Sequence, residues 1–162
     1  MLDLRVIPFD HPDAVGLDGE IQEFYARVYG GEDSTAMDAR EFAAPLGHFL
    51  VGYEDGEPVA CGGWRRRDGG DPALLPGDAE LKRMYVVQGR RGLGYARAVL
   101  AELERTAAAA GRRRLVLETG IRQPDAIALY TRAGYAPMPP FGDYRNSPAS
   151  RCYAKALDPP PA

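Results

Sequence analysis

The chain has 162 residues, a formal net charge of −3, and Arg and Glu mixed along its whole length. That size suits a single domain over 1–157 with a frayed Pro-rich tail at 158–162, and it is enough for a real core. The charge balance argues against a nucleic-acid partner, and two distant cysteines, Cys61 and Cys152, are too few for a disulfide scaffold or a metal site. With no N-terminal apolar run and no membrane span, a cytoplasmic protein without a membrane partner is expected.

In chain order, Leu2 to Phe9 alternates enough for a first strand, and His11-Pro12-Asp13 turns it. A helix is expected from about Ala14 to Tyr29, with Leu17, Ile21, Phe24 and Val28 on one face and Gly30-Gly31 as its stop. Ser34-Thr35 can cap a shorter helix to about Ala43, closed by Pro45. His48–Glu54 and Pro58–Arg67 read as strands joined by an Asp55-Gly56 hairpin turn. Residues 68–78 are loop. Arg114–Thr119 reads as an apolar strand of the parallel type, led by the solvated cluster Arg112-Arg113-Arg114. Pro124 opens a helix to Arg132, Tyr135-Ala136 starts a short strand, and Arg151–Leu157 is the last. This order is that of an α+β protein with a mixed sheet.

Between these lies the stretch Glu80 to Gly111. Leu81, Met84, Tyr85, Val86 and Val87 read as a buried strand, and Gln88 to Gly94 as a cationic, glycine-rich turn. From there Leu93, Ala96, Leu100, Leu103, Ala107 and Ala110 recur in steps of three and four, a helical stripe that Gly111 ends. Strand, glycine turn and helix together point free N–H groups at one spot, with the helix dipole behind them and Arg90 and Arg91 beside them. Such a spot favours phosphate. A P-loop is excluded because no Lys-Ser/Thr pair follows the glycines. A dinucleotide fingerprint fits poorly: Arg97 stands where a third small residue is needed. Glu118 mimics its ribose-binding acid, but only 44 residues follow for further β-α-β units.

The turn resembles the pyrophosphate loop of the GNAT superfamily of N-acetyltransferases, R/Q-x-x-G-x-G/A, at Arg91, Gly94 and Ala96. The likeness spans Leu2 to about Leu157. Glu80-Leu81-x-x-Met84-x-Val86 is similar to the acetyl-binding strand, and Ala126 to Tyr135 to the later helix and strand. Leu117-Glu-Thr-Gly120, Gln123-Pro124 and Pro140-Phe-Gly-Asp-Tyr144 resemble a bacterial branch labelled indole-3-acetic-acid-related acetyltransferases. The resemblance implies a six- to seven-stranded, mostly antiparallel sheet, splayed centrally and flanked by about four helices. It also implies acetyl-CoA as cosubstrate, a small-molecule amine as acceptor, and room for a homodimer.

Amide formation from a thioester needs a deprotonated amine, support for the oxyanion, and a proton for the leaving thiolate. Glu80, six residues before Val86, has the spacing of the glutamate base in the superfamily's histone acetyltransferases; Glu118 on the neighbouring strand competes for the role. The resemblance places the oxyanion donors near Tyr85 and Val86. The pantetheine arm would lie along Val86, Val87 and Gln88, and the diphosphate on Arg91, Gly92, Leu93, Gly94, Tyr95 and Ala96. Tyr130 takes the position of the proton donor, and Gln123 that of an Asn bonding the cofactor's arm. Trp64, Arg65, Tyr144, Ser147, Tyr25 and Tyr29 are candidates to line the acceptor site, and Arg65 there would favour a carboxylate-bearing acceptor. His11 and His48 receive no ligand role, and Cys61 reads as a small buried hydrophobe. A second reading keeps the loop and loses the chemistry, leaving a non-catalytic acyl-CoA sensor.

Overall fold

The computed structural model describes residues 1–159, so residues 160–162 of the expected tail lie outside the described residues. The elements are β1 (Asp3–Val6), α1 (Pro12–Tyr29), a 3-10 turn (Ala39–Phe42), β2 (Gly47–Glu54), β3 (Glu57–Arg67), β4 (Asp78–Val86), a second 3-10 turn (Gln88–Arg90), α2 (Tyr95–Ala109), β5 (Arg114–Gly120), α3 (Pro124–Arg132), β6 (Ala136–Pro137) and β7 (Ser150–Ala156). The strands form one seven-stranded sheet in the order β1-β2-β3-β4-β5-β7-β6. Every pairing is antiparallel except the parallel β4–β5 pair. The mixed α+β sheet is the one the element order implied, and its seven, mostly antiparallel strands are those the resemblance implied.

Local chemistry explains where the helices begin and stop. The His11 imidazole accepts the Asp13 N–H at the head of α1, Pro12 occupies its first turn, and Gly30 closes it at φ 79°. The helix expected over 34–43 is a single 3-10 turn instead. Ser34 and Thr35 do not cap it: the Ser34 hydroxyl lies against the Tyr144 hydroxyl, and the turn begins only at Ala39. Asp38 caps the turn, in a reciprocal box with Glu41.

Period-2 alternation divides the core between the two faces of the sheet. On one face Leu50, Ala60, Trp64, Leu81, Leu115 and Leu117 pack under α2, with Ala126, Leu129 and Tyr130 of α3 joining them. On the other, Phe49, Val51 and Cys61 meet Ala14, Leu17 and Ile21 of α1, while Val116 and Cys152 meet Phe141 of the late loop.

The feature that positions the site is where this sheet opens. β4 pairs with β5 only at Asp78, Ala79 and Glu80, whereas it stays on β3 through Val86 and β5 stays on β7 through Gly120. The two central strands therefore part from Leu81 onward. At the same level a bulge interrupts β4 against Cys61–Gly63, with Arg83 in the left-handed region at φ 59°. Leu81 and Met84 then pack on the α2 face, and Lys82 and Arg83 both send ion pairs toward Asp33 on the α1 side. A bulky residue at positive φ costs about 1–3 kcal/mol. Two ion pairs, from Arg83 to Asp18 and to Asp33, hold it there.

Candidate active site

The turn between β4 and α2 is built from main chain. Gly92 and Gly94 lie at φ 79° and 81°, a conformation that side chains resist. The N–H groups of Arg90 and Arg91 fold back onto the carbonyls of Val87 and Gln88, and the next backbone bond runs from Ala98 to Gly94. Among the described residues, the amides of 92–97 have no protein partner, and Gly92, Leu93 and Gly94 are exposed. Uncapped amides at the head of a 15-residue helix form an anion site. A Cβ on Gly94 would meet nothing within 4 Å, so packing does not demand glycine there; its positive φ does.

Leu93 was expected on the buried helical stripe. It is 59% exposed on the turn instead, because α2 begins only at Tyr95, and the stripe runs through Val99, Leu100, Leu103 and Ala107. The turn is braced on the β2–β3 hairpin, where Glu54 accepts hydrogen bonds from Arg90 Nε and the Tyr95 hydroxyl. Arg91 Nε donates to the Val86 carbonyl at 3.2 Å, with its guanidinium over the Tyr85 ring.

Register decides which β4 amides face the opening. Val87 N–H donates to Val59, so Val87 and Tyr85 belong to the β3 ladder and Val86 N–H points to the parted side. The expected pair of oxyanion donors thus reduces to Val86, and the Tyr85 amide is engaged in the sheet. The pantetheine edge is narrower as well, since Arg91 holds the Val86 carbonyl and Arg90 N–H the Val87 carbonyl.

A cavity of about 400 Å³ runs through the parted sheet. Met84, Leu117, Gln123, Ala126 and Tyr130 line it on the α2–α3 side, and Tyr25, Tyr29, Asp33 and Ser147 on the other. A second cavity of about 270 Å³ adjoins it, lined by Thr35, Arg65, Arg67, Glu80 and Phe141 among others. Lys82, Glu118 and Tyr144 border both.

Glu80 and Glu118 differ sharply. Glu80 is buried at 4% exposure, and its Oε1 accepts from both Arg65 Nε (3.0 Å) and Arg67 Nη1 (2.8 Å). One carboxylate oxygen is thus held by two guanidinium groups, and the base expected from its spacing sits within an ion-pair cluster. Glu118 has no ion pair among the described residues, and burial raises its carboxyl above the usual value. It lines both cavities, with Lys82 and Tyr144.

Tyr130 is buried against Tyr135, and desolvation pushes its phenol well above its usual value, so it keeps its proton at neutral pH. Gln123 precedes the first turn of α3 and donates to the Tyr29 hydroxyl at 3.3 Å. Arg65 lines the second cavity but is buried, bonded to Glu41, Glu80 and the Ala36 carbonyl. Tyr144 ties the late loop to the segment after α1 by donating to Asp33 Oδ1 and accepting Ser34 N–H. Trp64 lies on the opposite face, donating to Thr106, and does not line either cavity.

Sequence reasoning missed Asp33, Arg67, Lys82 and Arg83. Asp33 joins three segments by accepting from Lys82, Arg83 and Tyr144. Burial opposes its ionisation, but the charge of Lys82, the Thr35 N–H and Arg83 together hold its carboxyl well below the usual range. Among the described residues no group of three or more His, Cys, Asp or Glu could hold a metal ion, and no helix is long and apolar enough to cross a membrane.

Comparison with known proteins agrees with this geometry. The family model for acetyltransferases of the GNAT family matches residues 19–135. An IAA acetyltransferase of Azospirillum brasilense is 36% identical over 138 residues, covering 85% of this chain and 86% of its own. A Klebsiella pneumoniae structure assigned to the acyl-CoA N-acyltransferases superposes with a TM-score of 0.80 at 28% identity, covering 98% of this chain and 99% of the other. The fold is shared with an IAA acetyltransferase structure from Bacillus cereus, with a TM-score of 0.68 at 17% identity over 97% of this chain and 100% of that one. The chain belongs to the GNAT family of acetyltransferases, and its enzyme class is that of an N-acetyltransferase.

Proposed function

We propose that the protein transfers an acetyl group from acetyl-CoA directly to the amine of a small molecule, with both substrates bound at once. The observation that carries this reading is the cavity through the parted sheet. It opens between β4 and β5 beside Glu118 and Tyr130, with α1 on one side and α3 on the other, so two substrates can meet from opposite faces. The open amide turn follows at the end of the same β4.

In this reading the amides of Gly92 to Ala96 hold the diphosphate, with Arg91 adjacent. Glu118 removes a proton from the acceptor ammonium, directly or through one water, and the freed amine attacks the thioester carbonyl. Val86 N–H supports the oxyanion as the C–N bond forms. When the tetrahedral centre collapses, the C–S bond breaks and Tyr130 gives its proton to the thiolate, while the surplus proton on the new amide nitrogen leaves through water and restores the phenol. A thiol of pKa about 8.5 takes that proton from a raised phenol only when the two are held in place.

The test is release of free thiol from acetyl-CoA against a panel of amines, alongside calorimetric binding of acetyl-CoA. Amine-dependent release supports transfer. Binding without release toward any amine would favour the acyl-CoA sensor, and no binding would remove both.

A further inference from the structure

Resting on that transfer reading, we propose that the acceptor is a small amine that also carries a carboxylate. Arg67 and Lys82 would hold its carboxylate at the second cavity while its amine faces Glu118. An accounting of the charged groups around that cavity points this way.

Arg65 commits Nε and Nη1 to Glu80, Glu41 and the Ala36 carbonyl, and its side chain is only 5% exposed, so it offers a ligand little. Arg67 is different: only its Nη1 bonds, to Glu80, and its Nε and Nη2 have no partner among the described residues. Lys82 directs Nζ to Asp33 alone. Their side chains are 26% and 12% exposed, reachable from the cavity yet largely out of water. A carboxylate there gains more than it would on an open surface.

Of the cavity-lining carboxyls without an ion pair among the described residues, Glu32 and Asp143 are exposed and Glu118 is half-buried; with Lys82, Glu118 borders both cavities. A molecule with both charges would lie across that shared border, carboxylate toward Arg67 and amine toward the thioester. A volume of about 270 Å³ holds a molecule of amino-acid size. A plain amine leaves Nε and Nη2 of Arg67 unused, and a diamine sets its second ammonium against the Arg67 and Lys82 cations.

The experiment compares α-, β- and γ-amino acids with their carboxamides and with a simple diamine, in the thiol-release assay on the wild-type protein. At least one amino acid is expected to exceed its carboxamide about 10- to 100-fold in kcat/KM, the range for hydrogen bonds to a charged group. Arg67→Gln should raise KM for that amino acid about tenfold and shrink its advantage over the carboxamide, with kcat nearly unchanged. If that variant does not fold, the wild-type panel decides alone. A carboxamide or diamine used as well as the amino acids would overturn the proposal and leave the transfer reading intact. So would acetyl-CoA binding with no transfer to any amino acid. Failure to bind acetyl-CoA, seen separately by calorimetry, would overturn the transfer reading and this proposal with it.

Discussion

The two parts of the candidate site are made of different materials. At the α2 end the site is main chain: consecutive amides on a turn shaped by Gly92 and Gly94, open to solvent and braced from one side by Glu54. At the α1 end it is side chain. Asp33, Arg65, Arg67, Glu80, Lys82 and Arg83 form linked ion pairs contributed by β3, β4 and the segment after α1. A backbone site tolerates change in its side chains provided the φ angles survive. A site of buried ion pairs does not, because removing one partner strands the other in low dielectric. The division suits a cosubstrate with fixed chemistry at one end and an acceptor that distinguishes one transferase from another at the other.

Changes made across the site should separate these two behaviours. The largest effect is expected between the ends: Tyr130→Phe should lower kcat by about 10²- to 10⁴-fold with acetyl-CoA affinity within about twofold. Unchanged turnover would remove Tyr130 from the reaction. Glu118→Gln should cost about 10² in kcat/KM. A base works ionised, so the wild-type rate should rise with pH through the raised Glu118 pKa. Its acid limb should therefore lie above the ordinary glutamate value of about 4.3, and the variant should lose that limb. An identical profile in the variant would return the role to Glu80 or to water.

At the side-chain end, Asp33→Asn leaves Lys82 and Arg83 short of a buried partner and should cost roughly 3 kcal/mol of stability, read by thermal unfolding. Asp33 has a folded pKa below its unfolded one, so its stabilisation is present at neutral pH and fades as pH falls below the ordinary carboxylate range. The variant should show less of that acid loss. At the main-chain end, Gly94→Val should weaken acetyl-CoA binding about tenfold or more, with little change in kcat at saturation, because φ 81° and close phosphate approach both exclude a branched side chain. A valine that binds normally would place the diphosphate elsewhere.

The same contrast explains what the sequence made legible. The turn could be read because its logic is local: glycines, arginines and an apolar 3–4 period within one short segment. Helix α1 was equally plain from Gly30 and its stripe, and α3 from Pro124. The ion pairs join residues 49 and 50 positions apart, and the Tyr144–Asp33 bond spans 111, distances at which no periodicity carries information. Arg65 and Glu80 were singled out individually, but neither residue's position revealed that each is the other's partner. One signal was present and unread. Leu81, Met84 and Val86 break strict alternation, and a step of three in a strand is the mark of the bulge at Arg83. Leu93 erred the opposite way, since an apolar residue in step with a helix was assigned to it before the helix had begun.

The central claim is that the amides between Arg91 and Ala96 converge on the diphosphate of coenzyme A. Amide-resolved NMR, titrating the protein with acetyl-CoA and then with S-acetylpantetheine, which lacks the diphosphate, tests it most directly. The account predicts large shifts at Gly92, Gly94, Tyr95 and Ala96 with acetyl-CoA and almost none there with S-acetylpantetheine. Saturation by acetyl-CoA with those amides unmoved would contradict it.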